Sequence, residues 1–173
     1  MKKIVILFSG EGTNLEYILK NEHNFEVVQT LTNNKISKGI TISKNYNKPC
    51  HILSKNDFEE ELINICLSVK PDIIVLAGFM KILSSNFIKK FNIINLHPSL
   101  LPLHKGLNAI ERSYYDKSIY GGVTVHYVVP KIDSGEIILS NKILKESLSL
   151  EEYIFEIKII EKQTLLDSIN LLI

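Results

Sequence analysis

Apolar positions along the chain have two textures. From Lys3 to Phe8 (KIVILF) and from Asp72 to Ala77 (DIIVLA) they run almost unbroken and are rich in β-branched residues, the pattern of strands covered on both faces in a parallel sheet. Elsewhere they recur at helical spacing: Leu15, Ile18 and Leu19; Ile36, Ile40 and Ile42; then Phe58, Leu62, Ile65, Cys66 and Val69, with Glu59, Glu60 and Glu61 mostly on the solvated side. Phe25 to Thr32 and Cys50 to Leu53 read as further strands, and Pro71 closes the helix that begins within Ser54 to Asp57. Ser84 to Lys90 predicts a short helix, Phe91 to Ile94 opens a strand ending in Asn95 and His97, and a helix follows over Asn108 to Tyr115. From Ile119 the texture changes. Tyr120 to Val129 and Glu136 to Lys145 alternate like antiparallel strands, and Leu150 to Leu172 is one amphipathic helix with Tyr153, Ile154, Ile157, Ile160, Leu165 and Ile169 toward the sheet. This order predicts an α/β domain: a mostly parallel sheet with right-handed crossovers, an antiparallel C-terminal meander and a final amphipathic helix.

Composition narrows the class. A chain of 173 residues, 45% hydrophobic, 23% charged and with a formal charge of +1, has the size and balance of one folded domain, here residues 1–173. Basic residues are interspersed with acidic ones, so nucleic acid is not an expected partner. No apolar run approaches the roughly 20 residues of a membrane span, and Gly10, Glu11 and Asn14 interrupt the first apolar segment too early for a signal peptide; the expected location is cytoplasmic. Cys50 and Cys66 lack metal or redox spacing and read as buried free thiols. Oligomeric state is not encoded in any feature of the sequence.

Candidate chemistry concentrates where strands end. Asn95 and His97, two apart, point to the same side of an extended chain, and Pro98 and Pro102 stiffen its exit. The pair is either a capped strand end or an amide donor beside a titratable imidazole. An acid from the Asp133 loop can meet His97 on the ligand-binding rim of the sheet and favour its protonated form, although Asp-Ser-Gly is also a good turn in its own right. The Gly-rich turn Ser9 to Asn14 leads from strand to helix. Its glycines allow close approach of an anion to free N–H groups, or Thr13 or Asn14 simply caps the helix. Gly78 to Leu83 leaves a neighbouring strand on the same rim. Of the other histidines, His23 reads as solvated and His51 as a satisfied, partly buried ring; no metal-ligand spacing or GxSxG nucleophile context occurs, so direct transfer between bound small molecules is the favoured chemistry.

Four segments, SGEGTNLEYIL, VLAGFMKIL, NLHPSLLP and IDSGEIIL, together resemble the folate-dependent glycinamide ribonucleotide formyltransferase family of purine synthesis, in the family's order and across nearly the whole chain. The resemblance implies the Rossmann-like formyltransferase fold and transfer of a formyl group from formyltetrahydrofolate, as co-substrate, to the amine of glycinamide ribonucleotide, without a metal. It implies that Asn95 stabilises an oxyanion, that His97 is a general acid kept protonated by Asp133, and that Asp133 relays a proton. Gly12, Thr13 and Asn14 then match the phosphate turn, Pro98 and Glu161 the ribonucleotide site, and Met80, Lys81, Ile82 and Leu83, with Asn95, the folate site; Lys55 matches a basic residue near the glutamate tail. Glu11 replaces the usual Asn, Lys81 an Arg, and Leu103-His104-Lys105 departs from the commoner loop. Rival readings are a formyltetrahydrofolate hydrolase, a transferase acting on methionyl-tRNA or an amino sugar, and a nonenzymatic nucleotide- or folate-binding module.

Overall fold

The computed structural model describes residues 1–173. In chain order the elements are β1 (Lys2–Phe8), α1 (Thr13–Lys20), β2 (Phe25–Thr32), α2 (Gly39–Asn45), β3 (Cys50–Ile52), α3 (Phe58–Val69), β4 (Ile73–Leu76), α4 (Ser85–Ile88), β5 (Ile93–His97), α5 (Ala109–Tyr115), β6 (Tyr120–Tyr127), β7 (Ile137–Leu144) and α6 (Leu150–Leu172). The seven strands are ordered β3-β2-β1-β4-β5-β6-β7; β1 pairs parallel with β2 and β4, β2 parallel with β3, and β6 antiparallel with β7. This is the mostly parallel sheet with an antiparallel C-terminal pair that the sequence predicts. Two compact units divide the chain, residues 1–94 with residue 173, and residues 95–172. No helix is long and apolar enough to cross a membrane.

In the first unit, β1 has parallel neighbours on both sides, and Ile4 to Phe8 are fully buried, as an unbroken apolar strand requires. The Asp72 carboxylate accepts the Lys3 N–H at 2.8 Å and Lys2 Nζ at 2.9 Å, fixing the start of β1 beside β4. Ile36 is not on the predicted helix. It is 82% exposed, and α2 begins only at Gly39, because the Asn34 side chain takes the Ile36 N–H in a turn. Gly39 then packs on Phe8: a Cβ there would lie 2.2 Å from the ring. Cys66 is buried, whereas Cys50 is only half-buried, since β3 is the short outermost strand; both thiols are free.

In the second unit the expected alternation fails in β6, where Gly121 to His126 are buried without a break. Adjacent glycines explain this. A Cβ on Gly121 would lie 1.9 Å from the Tyr153 hydroxyl of α6, and one on Gly122 would meet the Asn141 carbonyl at 2.2 Å and Leu100 at 2.7 Å. Helix and loop therefore close on β6 from opposite faces, while β7 keeps the partial exposure of an edge strand. On α6, Tyr153, Ile157, Leu165 and Ile169 are buried as predicted, and Glu161, Thr164 and Ser168 join them.

Candidate active site

At the end of β5, Asn95 and His97 share one face. The chain leaving them is held by Thr124, whose hydroxyl donates to the Ser99 carbonyl (2.8 Å) and accepts the Leu101 N–H (3.0 Å); Ser99 Oγ donates to the Leu103 carbonyl at 2.7 Å. The loop then brings the His104 carbonyl 2.9 Å from His97 Nε2. On the other side of the ring, Nδ1 lies 3.3 Å from Asp133 Oδ2. Asp133 sits in a left-handed turn (φ 46), and its Oδ2 also accepts the Gly106 N–H at 2.8 Å. The turn needs Gly135, where a Cβ would fall 1.7 Å from the Tyr127 carbonyl.

His126, buried in β6, is the component that sequence reasoning left unassigned. Its Nδ1–H donates to the Tyr127 carbonyl at 2.8 Å, so Nε2 faces inward, 3.4 Å from Asn95 Nδ2 and 3.6 Å from Asp133 Oδ1. A neutral His126 accepts from Asn95 and orients its amide; a charged one donates to Asp133. The sequence signal was an imidazole in an otherwise apolar inner strand, a residue that needs polar partners.

Burial alone would raise the Asp133 pKa, but the His126 hydrogen bond, the Gly106 N–H and the charges of His97 and His126 bring it down to about 2, so it is a carboxylate throughout the working range. His97 moves the other way from expectation. Burial pushes its pKa below the usual imidazole value; the His104 carbonyl and the Asp133 charge oppose the fall, and the charges of His126 and Arg112 add to it. The resting ring is therefore mainly neutral at pH 7, although both its nitrogens face acceptors, an arrangement only the imidazolium satisfies on both sides. Such a ring takes up its second proton when negative charge appears nearby and releases it readily afterward. With the Asn95 amide beside it, this cluster can stabilise an oxyanion and transfer a proton.

The remaining predicted residues have different settings. Gly12 (φ 79) is the N-cap of α1 and makes no side-chain cap; Thr13 and Asn14 lie inside the first turn, so neither caps the helix, and Asn14 Oδ1 is buried without a hydrogen-bond partner. Glu11 turns to Lys38, with Oε2 2.5 Å from Nζ, so its charge is balanced. Ser9 Oγ accepts the Met80 N–H at 2.8 Å and donates to Asn33, tying the Gly-rich turn to the Met80–Leu83 segment. There Met80 and Ile82 are 78% and 80% exposed, Lys81 Nζ lies 5.6 Å from the Phe58 ring centre, and Leu83 is buried. Lys55 is exposed before α3. Pro98 is half-buried, and buried Glu161 places both carboxylate oxygens 3.0 Å from Lys158 Nζ. His51 is satisfied by Glu61 at 3.1 Å but is exposed rather than partly buried, because β3 is an edge.

The sequence matches the family described as Formyl transferase over residues 2–169. The chain belongs to the formyl transferase family. Among curated relatives of this family, phosphoribosylglycinamide formyltransferase of Haemophilus influenzae is 35% identical over 155 residues, 83% of this chain and 73% of that protein. The Escherichia coli protein of the same name is 32% identical over 152 residues, 81% and 72% of the two chains. A crystal structure of phosphoribosylglycinamide formyltransferase from Campylobacter jejuni is similar over 97% of this chain and 95% of that one, with 38% identity and a TM-score of 0.92. By this membership the chain is a transferase enzyme with the formyltransferase fold.

Proposed function

We propose that this enzyme formylates the amine of glycinamide ribonucleotide, using formyltetrahydrofolate, in purine synthesis. The observation that carries the reading is the cluster of Asn95, His97 and Asp133, with His97 Nδ1 3.3 Å from a carboxylate held ionised, in a chain whose relatives bear that activity in their names. When bound, formyltetrahydrofolate supplies an electrophilic formyl carbon. The Met80–Leu83 segment suits its flat ring, since Met80 and Ile82 present apolar side chains to the exterior where a folded chain ordinarily hides them.

Within this reading the Asn95 Nδ2–H donates to the oxygen that gains charge as the amine attacks, with the amide lying 3.4 Å from His126 Nε2. His97, whose proton affinity rises with that charge, protonates the oxygen or the departing nitrogen. Asp133 steadies the imidazolium and, remaining a carboxylate, guides the proton that leaves the amine, directly or through water, to His97, so that the proton lost by the amine is the one delivered to the departing nitrogen. The uncapped first turn of α1, at Gly12, Thr13 and Asn14, takes the ribonucleotide phosphate on its N–H groups. Pro98 and Glu161 line the ribonucleotide, and Lys55 steers the anionic folate tail.

The test is an acceptor assay with purified protein. Formyltetrahydrofolate and glycinamide ribonucleotide are expected to yield one formylated ribonucleotide per folate consumed, with little formate in the absence of the amine. Comparable formate release without acceptor would assign the chain to hydrolysis, and no turnover with the ribonucleotide would reject the substrate.

A further inference from the structure

In the loop between Ser99 and α5, His104 has a second set of contacts besides its carbonyl on His97. Its Nε2 lies 2.5 Å from Asp116 Oδ2, and Asp116 Oδ1 is 2.6 Å from Lys145 Nζ. Lys145 is buried and also donates to the Ser113 and Tyr114 carbonyls, so Asp116 has little freedom to follow a moving partner. The His104 backbone is left-handed at φ 52, a conformation unfavourable for a non-glycine residue that persists only when something holds it. Its carbonyl is the atom on His97 Nε2.

We propose that His104 is a positioning residue for His97: the contact of its imidazole with Asp116, braced by Lys145, holds its own carbonyl against His97 Nε2. The carbonyl fixes the rotation of the His97 ring and keeps a proton on the nitrogen turned away from Asp133. This deepens the reading of His97 as the acid of formyl transfer and rests on it. Neighbouring loop contacts, from Ser99 to the Leu103 carbonyl, from Arg112 to the Lys105 carbonyl and from the Gly106 N–H to Asp133, set the course of the loop, while the side chain of His104 sets the orientation of the one peptide that meets His97. The other charged groups around His97 are Asp133, His126 and Arg112, none of which is altered by changing His104.

The experiment follows the His97 ring by nitrogen-15 NMR titration in the wild type, His104→Ala and His104→Gln, together with kcat and KM. Gln places an amide N–H where Nε2 stood. In His104→Ala the His97 midpoint is expected to move down by about half a pH unit as a hydrogen bond to the charged ring weakens. The same variant is expected to lose about five- to tenfold in kcat, the effect of one hydrogen bond, with KM within about twofold. His104→Gln restores most of both. If His104→Ala does not fold, His104→Asn, whose amide stops short of Asp116, takes its place. An unchanged His97 midpoint in the Ala or Asn variant, or failure of Gln to restore a midpoint that moved, overturns the proposal. The titration needs no substrate, so absence of ribonucleotide formylation in the wild type would defeat the substrate reading and leave this one tested.

Discussion

Replacing Asp133 by Asn removes a charge and preserves shape, so its cost can be worked from the surroundings. The Asp133 side chain is 9% exposed, faces His97 Nδ1 at 3.3 Å and His126 Nε2 at 3.6 Å, and accepts the Gly106 N–H at 2.8 Å. Its pKa lies at about 2 against an ordinary 3.8. At about 1.36 kcal/mol per pH unit, the folded state gains about 2.5 kcal/mol from the ionised carboxylate at neutral pH. A carboxylate whose folded pKa is depressed contributes this stability above its unfolded pKa and loses it as pH falls toward the folded one; at pH 3 about half remains. Asn keeps an acceptor for Gly106, so the difference between wild type and variant reports mainly the charge. Urea unfolding at pH 7 and pH 3 is expected to give a difference of about 2.5 kcal/mol at the first and about 1.3 at the second. A difference that does not change with pH, or none at pH 7, would refute the view that Asp133 is a stabilised anion between two imidazoles.

Gly12→Ala places a Cβ 2.8 Å from the Gly39 Cα at φ 79; a loss of about 2–3 kcal/mol in urea unfolding is expected, with a raised KM for the ribonucleotide. Lys145→Met leaves Asp116 beside His104 without its buried cation, and thermal unfolding is expected to show a loss of about 3 kcal/mol or more; a variant as stable as wild type would remove the brace assigned to Lys145. Glu11→Gln acts on a surface pair, both side chains being at least two-thirds exposed, so stability is expected to stay within about 0.5 kcal/mol. Steady-state kinetics of the same variant are expected to show KM for the phosphorylated substrate falling about two- to threefold, because Lys38 is released and a negative charge is gone.

Where one physical effect dominates, the sequence is a sufficient guide. The runs at Lys3–Phe8 and Asp72–Ala77 have no polar side to expose, and they became the inner strands β1 and β4; Leu150–Leu172 has a single apolar stripe long enough to stand as one helix. Two-residue spacing placed Asn95 beside His97, and the Asp133 loop reached them. The sequence was a poor guide where a distant partner decides. Alternation in Tyr120–Val129 gave way because Gly121 and Gly122 admit Tyr153 and Leu100, contacts made with residues far along the chain. His126 acquires meaning only when β6 carries it to Asn95 and Asp133, and the proton affinity of His97 turned on burial, which opposed the carboxylate that local pairing emphasised. His104 was visible as a departure, but Asp116 and Lys145, which give its side chain a purpose, lie 12 and 41 residues further on.

The most direct test is the rate of glycinamide ribonucleotide formylation by His97→Ala relative to wild type at saturating substrates, on protein shown to be folded. If His97 supplies the proton at the reacting centre, kcat falls by about a thousandfold, within the range for loss of a general acid. A folded His97→Ala enzyme that retains activity within about threefold of wild type would contradict that assignment, because a loss so small is less than one ordinary hydrogen bond.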